Sequence, residues 1–395
     1  MKILKIVPCF HPSRYAGGIE TLAREWAKSL AQDYGCEVYI LTSATIVEPK
    51  SYPEDGHLAI EVKRLRCLRL FTRPVIPALL PSLYSLVRSF KPDIVHHYIP
   101  LVQDSLVARI ATRLNIPFVV TFAADPILSE DSPYLQSLLE KVYSSISIMP
   151  TLRMASKVIS TTKSYRNIST YLPNIDASKI EVVYQGVDID YYHPPTPAER
   201  ETAKTSIQSK YGISFEPNVP IIGFVGRMVP YKGAEYLIKA ARELADTQFV
   251  LVGDNPQGFK PADMPRNVRL VGYVPYEDLR SFYWSFDITA NPSINRMDSV
   301  PLTTLESMAC GTPIIITDVG GNKELFDKSD FPFGKLISPK SQSEITRAIV
   351  EILAKEAEFK KGARNEAIKY SWSRVVQDLY NVYTRLLEQE SVREM

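Results

Sequence analysis

The chain has 395 residues, more than one ordinary domain of about 100–200 residues holds, so two domains are expected. Hydrophobic residues make up 45% and charged residues 23%, globular values that exclude a disordered or fibrous chain. Lys and Arg total 46 against 44 Asp and Glu, which leaves no general signature for nucleic acid, and four scattered cysteines without a CxxC pair point to a reducing compartment and no structural metal.

The start, MKILKIVPCF, enters a strand-like pattern at once and lacks the sections of a signal peptide. No stretch reaches the ~18 to 20 apolar residues that span a bilayer, since residues 75–87 are interrupted by Pro77 and Pro81. A cytoplasmic protein is expected. Short, nearly continuous apolar runs at 3–7, 38–42, 94–96, 118–121 and 158–159 read as strands buried on both faces of a parallel sheet. Helical spacing fills 19–30 (Leu22, Trp26, Leu30) and 104–114, where Asn115 and Pro117 stop it. This alternation is βαβ logic.

The proline-containing stretch 191–197, YYHPPTP, reads as the edge of a linker, because proline fixes φ and removes backbone donors. Strands recur at 221–225, 249–252, 268–270, 288–290 and 313–317, with helices at 234–244, 276–284 and 302–310. The expected domains are residues 1–190 and 191–371. A last helix follows from 372 to about 387, whose stripe of Val375, Val376, Leu379, Tyr380, Tyr383 and Leu386 needs a surface to cover it.

Chemistry concentrates in the second half. Residues 298–311, DSVPLTTLESMACG, place Val300 and Pro301 just before a helix that opens at Leu302 and stops at Gly311. The exposed N–H groups and positive end of such a helix suit a diphosphate. Glu306 lies one turn in, where a carboxylate can accept two hydrogen bonds from a ribose diol. Asp298, eight positions earlier, flanks the same pocket. In residues 223–233, GFVGRMVPYKG, a strand ends at Gly226, and Arg227 and Lys232 bracket the following loop. Together they can neutralise a leaving diphosphate without a metal. In residues 15–20, YAGGIE, Gly17 and Gly18 leave room for a ligand to approach a helix start, a signal that is weak alone.

On these residues the chain resembles the retaining glycosyltransferase family 4 over essentially its whole length. The resemblance implies the α/β GT-B fold: two Rossmann-like α/β/α domains facing each other across a cleft, with residues 372–395 crossing back to the first. It implies that Arg227 and Lys232 bind the donor diphosphate, Glu306 the ribose and Asp298 the donor sugar. Gly17 and Gly18 match the family's first-loop glycines, and QGVD at 185–188 is similar to its NGVD. LVGD at 251–254 and GYV at 272–274, ending at Val274, resemble its nucleobase walls. The implied activity is transfer of a hexose-type sugar from a nucleotide sugar to a glycan or lipid-linked acceptor, with no cofactor and no nucleic acid.

Two departures stand out. Asp298 replaces the common Glu, and TFAAD at 121–125 puts Ala123 where many members have His. His96, His97 and Asp125 are candidate acceptor-side replacements, although buried structural histidines and a turn Asp are equally plain readings. The acid-free stretches Lys63, Arg64, Arg66, Arg69, Arg73, Arg88, Lys91 and Arg153, Lys157, Lys163, Arg166 fit either a solvated basic face or peripheral contact with an anionic membrane. The alternatives to a transferase are a catalytically impaired nucleotide-sugar-binding protein, suggested by Ala123, and a GT-B-type nucleotide-sugar epimerase. A NAD-dependent Rossmann enzyme is disfavoured because no GxGxxG follows a strand.

Overall fold

In the computed structural model the apolar runs form parallel strands, as continuous burial on both faces requires. The structure describes the chain except residues 11–16, 45–59, 71–72, 126–133, 297–298, 328, 330 and 395. Strands β1 (Lys2–Val7), β2 (Glu37–Ala44) and β3 (Glu61–Arg66) precede a short antiparallel ribbon, β4 (Leu68–Leu70) and β5 (Arg73–Val75). They are followed by β6 (Ile94–Tyr98), β7 (Phe118–Phe122), β8 (Lys157–Ser160) and β9 (Ile180–Val182). Without the ribbon these make a seven-stranded sheet in the order β3-β2-β1-β6-β7-β8-β9, parallel throughout.

The second sheet contains β10 (Ile221–Val225), β11 (Gln248–Val252), β12 (Val268–Gly272), β13 (Ile288–Asn291), β14 (Ile314–Thr317) and β15 (Gly334–Ile337). Its order is β12-β11-β10-β13-β14-β15, again all parallel. That is the doubly wound order in which the third, second and first strands run outward one way and the fourth to sixth the other. Strands β3, β9 and β15 were not among the expected ones. Each is an edge strand with a single neighbour, and none is buried throughout: Glu61–Arg66 is mixed and Ile180–Val182 only half-buried. These three edge strands therefore lack the apolar run that marks the central ones.

The chain divides into two compact units, residues 1–185 with 372–395, and residues 186–371. Residues 191–197 lie within the second unit and are no linker. Tyr192 is buried, Trp284 Nε1 donates to His193 O at 2.6 Å, and Pro197 opens the helix Pro197–Tyr211. Thr196 and Glu199 close a capping box on that helix, so the prolines mark a helix start. Val187 and Ser371 pair where the chain enters and leaves this unit.

The final helix, Trp372–Glu394, belongs to the first unit and packs along the helix Gly18–Gln32. Val375, Val376, Leu379, Val382, Tyr383 and Leu386 join Ile3, Trp26 and Leu30 in one core cluster, and Tyr380 stacks on Tyr34 at 4.4 Å. The opposite face of the first sheet carries its own core, with Leu83, Val107 and Leu152 from three further helices. Among the described residues no helix is long and apolar enough to cross a membrane. Leu379 is fully buried in the first-unit core, so Leu379→Ala is expected to cost about 2–5 kcal/mol in urea denaturation. A loss below about 0.5 kcal/mol, the scale of an ordinary surface substitution, would contradict this packing.

Candidate functional site

The chain leaves β10 toward β11 and β12 and returns to β13 on the other side of β10. The loops after β10 and β13 thus part at the carboxyl ends of neighbouring strands, the place where open α/β sheets bind ligands. Arg227 and Lys232 lie on the first of these loops, and the second leads into the helix Leu302–Ala309.

Backbone contacts fix the loop after β10 on both sides. Gly226 N–H donates to Val252 O at 2.9 Å and Met228 N–H to Asp254 O at 2.7 Å. A Cβ on Gly253 would lie 2.1 Å from Gly226 O, and one on Gly233, where φ is +67°, would lie 2.0 Å from Pro292 O. Both glycines are required by close approach of another backbone. Ile294 N–H donates to Tyr231 O at 2.8 Å, which joins the β10 loop to the β13 loop. Arg227 is exposed, and among the described residues no carboxylate pairs with it. Lys232 is half-buried, with its Nζ 5.8 Å from the centre of the Tyr231 ring.

Pro301 caps the helix Leu302–Ala309 without a side-chain hydrogen bond. Thr304 N–H turns back to Pro301 O, while the N–H groups of Leu302 and Thr303 find no partner among the described residues and leave the positive end of the helix open. Val300 before it has φ +44°, a costly conformation for a β-branched residue. Asn322 holds it there by accepting from Val300 N–H at 2.7 Å and donating to Thr317 O at 3.0 Å. Asp298 lies outside the described residues.

Glu306 is buried. Tyr283 Oη donates to its Oε2 at 2.8 Å, and the Tyr192 hydroxyl also faces the carboxyl. Burial raises the Glu306 pKa to about 7, and the Tyr283 hydrogen bond and then the nearby Tyr192 hydroxyl pull it the other way. The group therefore titrates near neutrality. Val274 is buried just beyond β12. Tyr192, Tyr283 and Asn322 carry no sequence signal of their roles: two tyrosines in ordinary apolar contexts and an asparagine after a strand show no pattern that reveals a tertiary partner.

In the first unit Gly17 caps the helix Gly18–Gln32 in extended backbone, and Glu20 accepts its N–H at 2.9 Å. A Cβ on Gly17 would make only ordinary contact, 3.4 Å from Glu20 Oε2. Its own fold does not demand glycine there, so the missing side chain leaves space at the helix start. Tyr15 and Ala16 lie outside the described residues.

His96, His97 and Asp125 are built into the first-unit core and do not form an open acceptor surface. His96 is fully buried, with Nδ1 2.5 Å from Tyr383 Oη and Nε2 2.7 Å from Thr121 Oγ1. Its pKa falls well below the ordinary value because of burial and then the Lys5 and His97 charges. His97, also fully buried, places Nε2 2.7 Å from Asp104 Oδ1. Asp125 accepts from Ser169 Oγ at 2.5 Å, Thr170 N–H at 2.6 Å and Tyr165 Oη at 3.1 Å, so its carboxylate ties down the segment after β8. Ala123 is buried at the end of β7. Of the basic stretches, Arg64 is buried and donates to Phe10 O at 3.0 Å, and Lys157 pairs with Glu181 at 2.8 Å. Neither adds to a basic face. The side chains of Arg69 and Arg73 lie outside the described residues.

Comparison with known proteins agrees with this architecture. Residues 16–191 match the model for Glycosyltransferase Family 4 and residues 219–355 that for Glycosyl transferases group 1. The D-inositol 3-phosphate glycosyltransferase of Mycobacteroides abscessus is 26% identical over 78% of this chain and 67% of its own length. That of Mycolicibacterium smegmatis is 30% identical over 56% of this chain. The chain spans 51% of the length of the second relative. An Anabaena protein solved with UDP and glucose shares the fold with a TM-score of 0.73 at 19% identity, covering 97% of this chain and 99% of its own. With two Rossmann-like units, the doubly wound order of the second sheet and these matches along both units, the chain belongs to glycosyltransferase family 4 and has the GT-B fold.

Proposed function

We propose that the chain is a retaining glycosyltransferase that takes a hexose-type sugar from a nucleoside diphosphate sugar bound at the second unit. One observation carries the reading: the Arg227–Lys232 loop and the loop leading to the open end of the Leu302–Ala309 helix are joined at the switch point of the sheet, with buried Glu306 one turn inside. The base lies toward Val274 and the ribose hydroxyls donate to Glu306. The diphosphate meets Arg227, Lys232 and the N–H of Leu302, with Gly226, Val300 and Pro301 shaping the approach. The family resemblance assigns the sugar contact to Asp298, which lies outside the described residues. The Anabaena protein of like fold was solved with UDP and glucose, which supports a nucleotide-sugar donor.

As the bond from the anomeric carbon to the diphosphate oxygen breaks, negative charge grows on the leaving group. Two cations and a helix terminus fixed in place stabilise that charge without reorganising. They supply the role a divalent ion would otherwise fill. Retention follows when the acceptor hydroxyl attacks the face the diphosphate leaves and passes its proton to the departing oxygen. The acceptor is a glycan or lipid-linked saccharide presented at a membrane surface from the cytoplasmic side.

Arg227→Ala and Glu306→Ala are each expected to weaken nucleoside diphosphate binding by about 1.5–3 kcal/mol in calorimetry, the worth of a charge-assisted hydrogen bond. Unchanged affinity in both variants would defeat the assignment. The ribose hydroxyls donate, so the nucleotide binds ionised Glu306, and its affinity drops as pH falls through about 7. Glu306→Gln removes that dependence while the nucleotide's own ionisation stays common to both proteins. The wild-type to variant affinity ratio should therefore rise between about pH 6 and 8. A flat ratio would show that Glu306 does not titrate against the nucleotide.

A further inference from the structure

The second unit contains a cavity of about 580 Å³ that the donor assignment leaves unused. It lies at the other end of the sheet. Phe286 and Thr312, which line it, precede β13 and β14, whereas the donor loops leave the carboxyl ends of β10 and β13. Further walls come from the start of the helix Pro197–Tyr211 and from the helix Glu356–Ile368. Small-molecule sites occupy about 300–1,000 Å³, so the space suits a ligand of metabolite size.

Part of the lining is apolar and held in place: Pro194, Pro195, Trp284 and Phe286. Trp284 Nε1 donates to His193 O at 2.6 Å, and the Arg280 guanidinium lies 4.6 Å from the centre of the Trp284 ring. A Cβ on Gly311, where φ is +74°, would lie 3.3 Å from Pro194 Cγ, so the turn after the helix Leu302–Ala309 packs closely on the prolines. A ligand would meet a surface already formed, with little ordering to oppose binding.

The rest of the lining is cationic. Arg200, Lys360, Lys361 and Arg364 reach the cavity, and no acid does among the described residues. Asp287 accepts from Arg200 Nη2 at 2.6 Å and lies 3.5 Å from Lys360 Nζ, which also pairs with Glu356. Lys361 and Arg364 have no carboxylate partner among the described residues. Backbone fixes Arg364 instead, which donates to Tyr192 O at 2.8 Å, Ala309 O at 2.9 Å and Ile189 O at 3.0 Å. Carbonyls position a guanidinium and leave its charge uncancelled. Lys361 is exposed and stands one turn before Arg364 on the same side of the helix. Two uncancelled cations beside an apolar wall match a dianion carried on a flat apolar body. A phosphate monoester has close to two negative charges at neutral pH, and Arg and Lys are its usual partners.

We propose that this cavity is a second small-molecule site, separate from the donor site, that takes an organic phosphate monoester with an aromatic body. The full chain is titrated in a calorimeter with 2-naphthyl phosphate, and with inorganic phosphate and 2-naphthol as the two halves of that probe. The ester should bind at least about tenfold more tightly than either half, with the same affinity in the presence of saturating UDP. Lys361→Glu should weaken it by about tenfold or more, the scale of one charge-assisted hydrogen bond. That side chain is exposed, so circular dichroism should be unchanged. Arg227→Ala should bind the ester as the wild type does.

Displacement of the ester by UDP, or its loss in Arg227→Ala, would put the probe in the donor site and overturn the proposal. So would an unchanged affinity in Lys361→Glu. Inorganic phosphate binding as tightly as the ester would reduce the cavity to a simple anion site, and 2-naphthol doing so would reduce it to an apolar one. Either result also overturns the assignment.

Discussion

The second unit depends on one constraint, the adjacency of β10 and β13 with their chain connections departing in opposite directions. That topology leaves a gap beyond the carboxyl ends of two strands that no crossover helix fills. Everything assigned to the donor is built around it. The β10 loop is tethered to residues 253–254 on one side and to residues 292–294 on the other, and two of these approaches tolerate no Cβ. Arg227 is therefore carried on backbone with little freedom to move, the condition under which a fixed charge is most effective on a developing anion.

Two local costs border the same gap. Val300 holds a left-handed backbone that its side chain disfavours, and Glu306 holds a carboxyl in a buried place that resists its ionisation. Each is supported by dedicated partners, Asn322 for the first and Tyr283 for the second. Strain and buried charge concentrate where a site must be pre-formed, and stability is usually drawn from elsewhere in the domain. Here the rest of the second core, from Ile222 to Phe359, is apolar and closely buried. The first unit shows the contrasting use of polar groups. His96, His97 and Asp125 are also buried and hydrogen-bonded, but their partners are all core or segment-anchoring groups, so the same residue types act there as internal fasteners.

Much of this was legible in the amino-acid order. Central strands declare themselves because burial on both faces leaves only apolar residues, as in β10 at 221–225. Edge strands β3, β9 and β15 escaped because one solvated side lets polar residues in. The prolines of 191–197 misled for a specific reason: Pro197 is a helix start, and a proline that begins a helix resembles one that breaks structure until the Thr196–Glu199 box is recognised. Arg227, Lys232 and Glu306 stand out as candidates in the sequence because spacing along a loop and a helix is a local property. Tyr283, Tyr192 and Asn322 do not, since what makes them matter is a partner brought close only by the fold. The histidines at 96 and 97 show the same limit in reverse, for no local pattern tells a buried core imidazole from one open to a ligand.

The central claim is that the donor diphosphate lies between the Arg227–Lys232 loop and the start of the Leu302–Ala309 helix. A crystal structure of the chain with bound UDP or GDP tests it most directly. The account predicts the diphosphate within hydrogen-bond distance of Arg227, Lys232 and the Leu302 N–H, with both ribose hydroxyls directed at Glu306. Density for the nucleotide at any other place in the second unit, or a ribose turned away from Glu306, would contradict it.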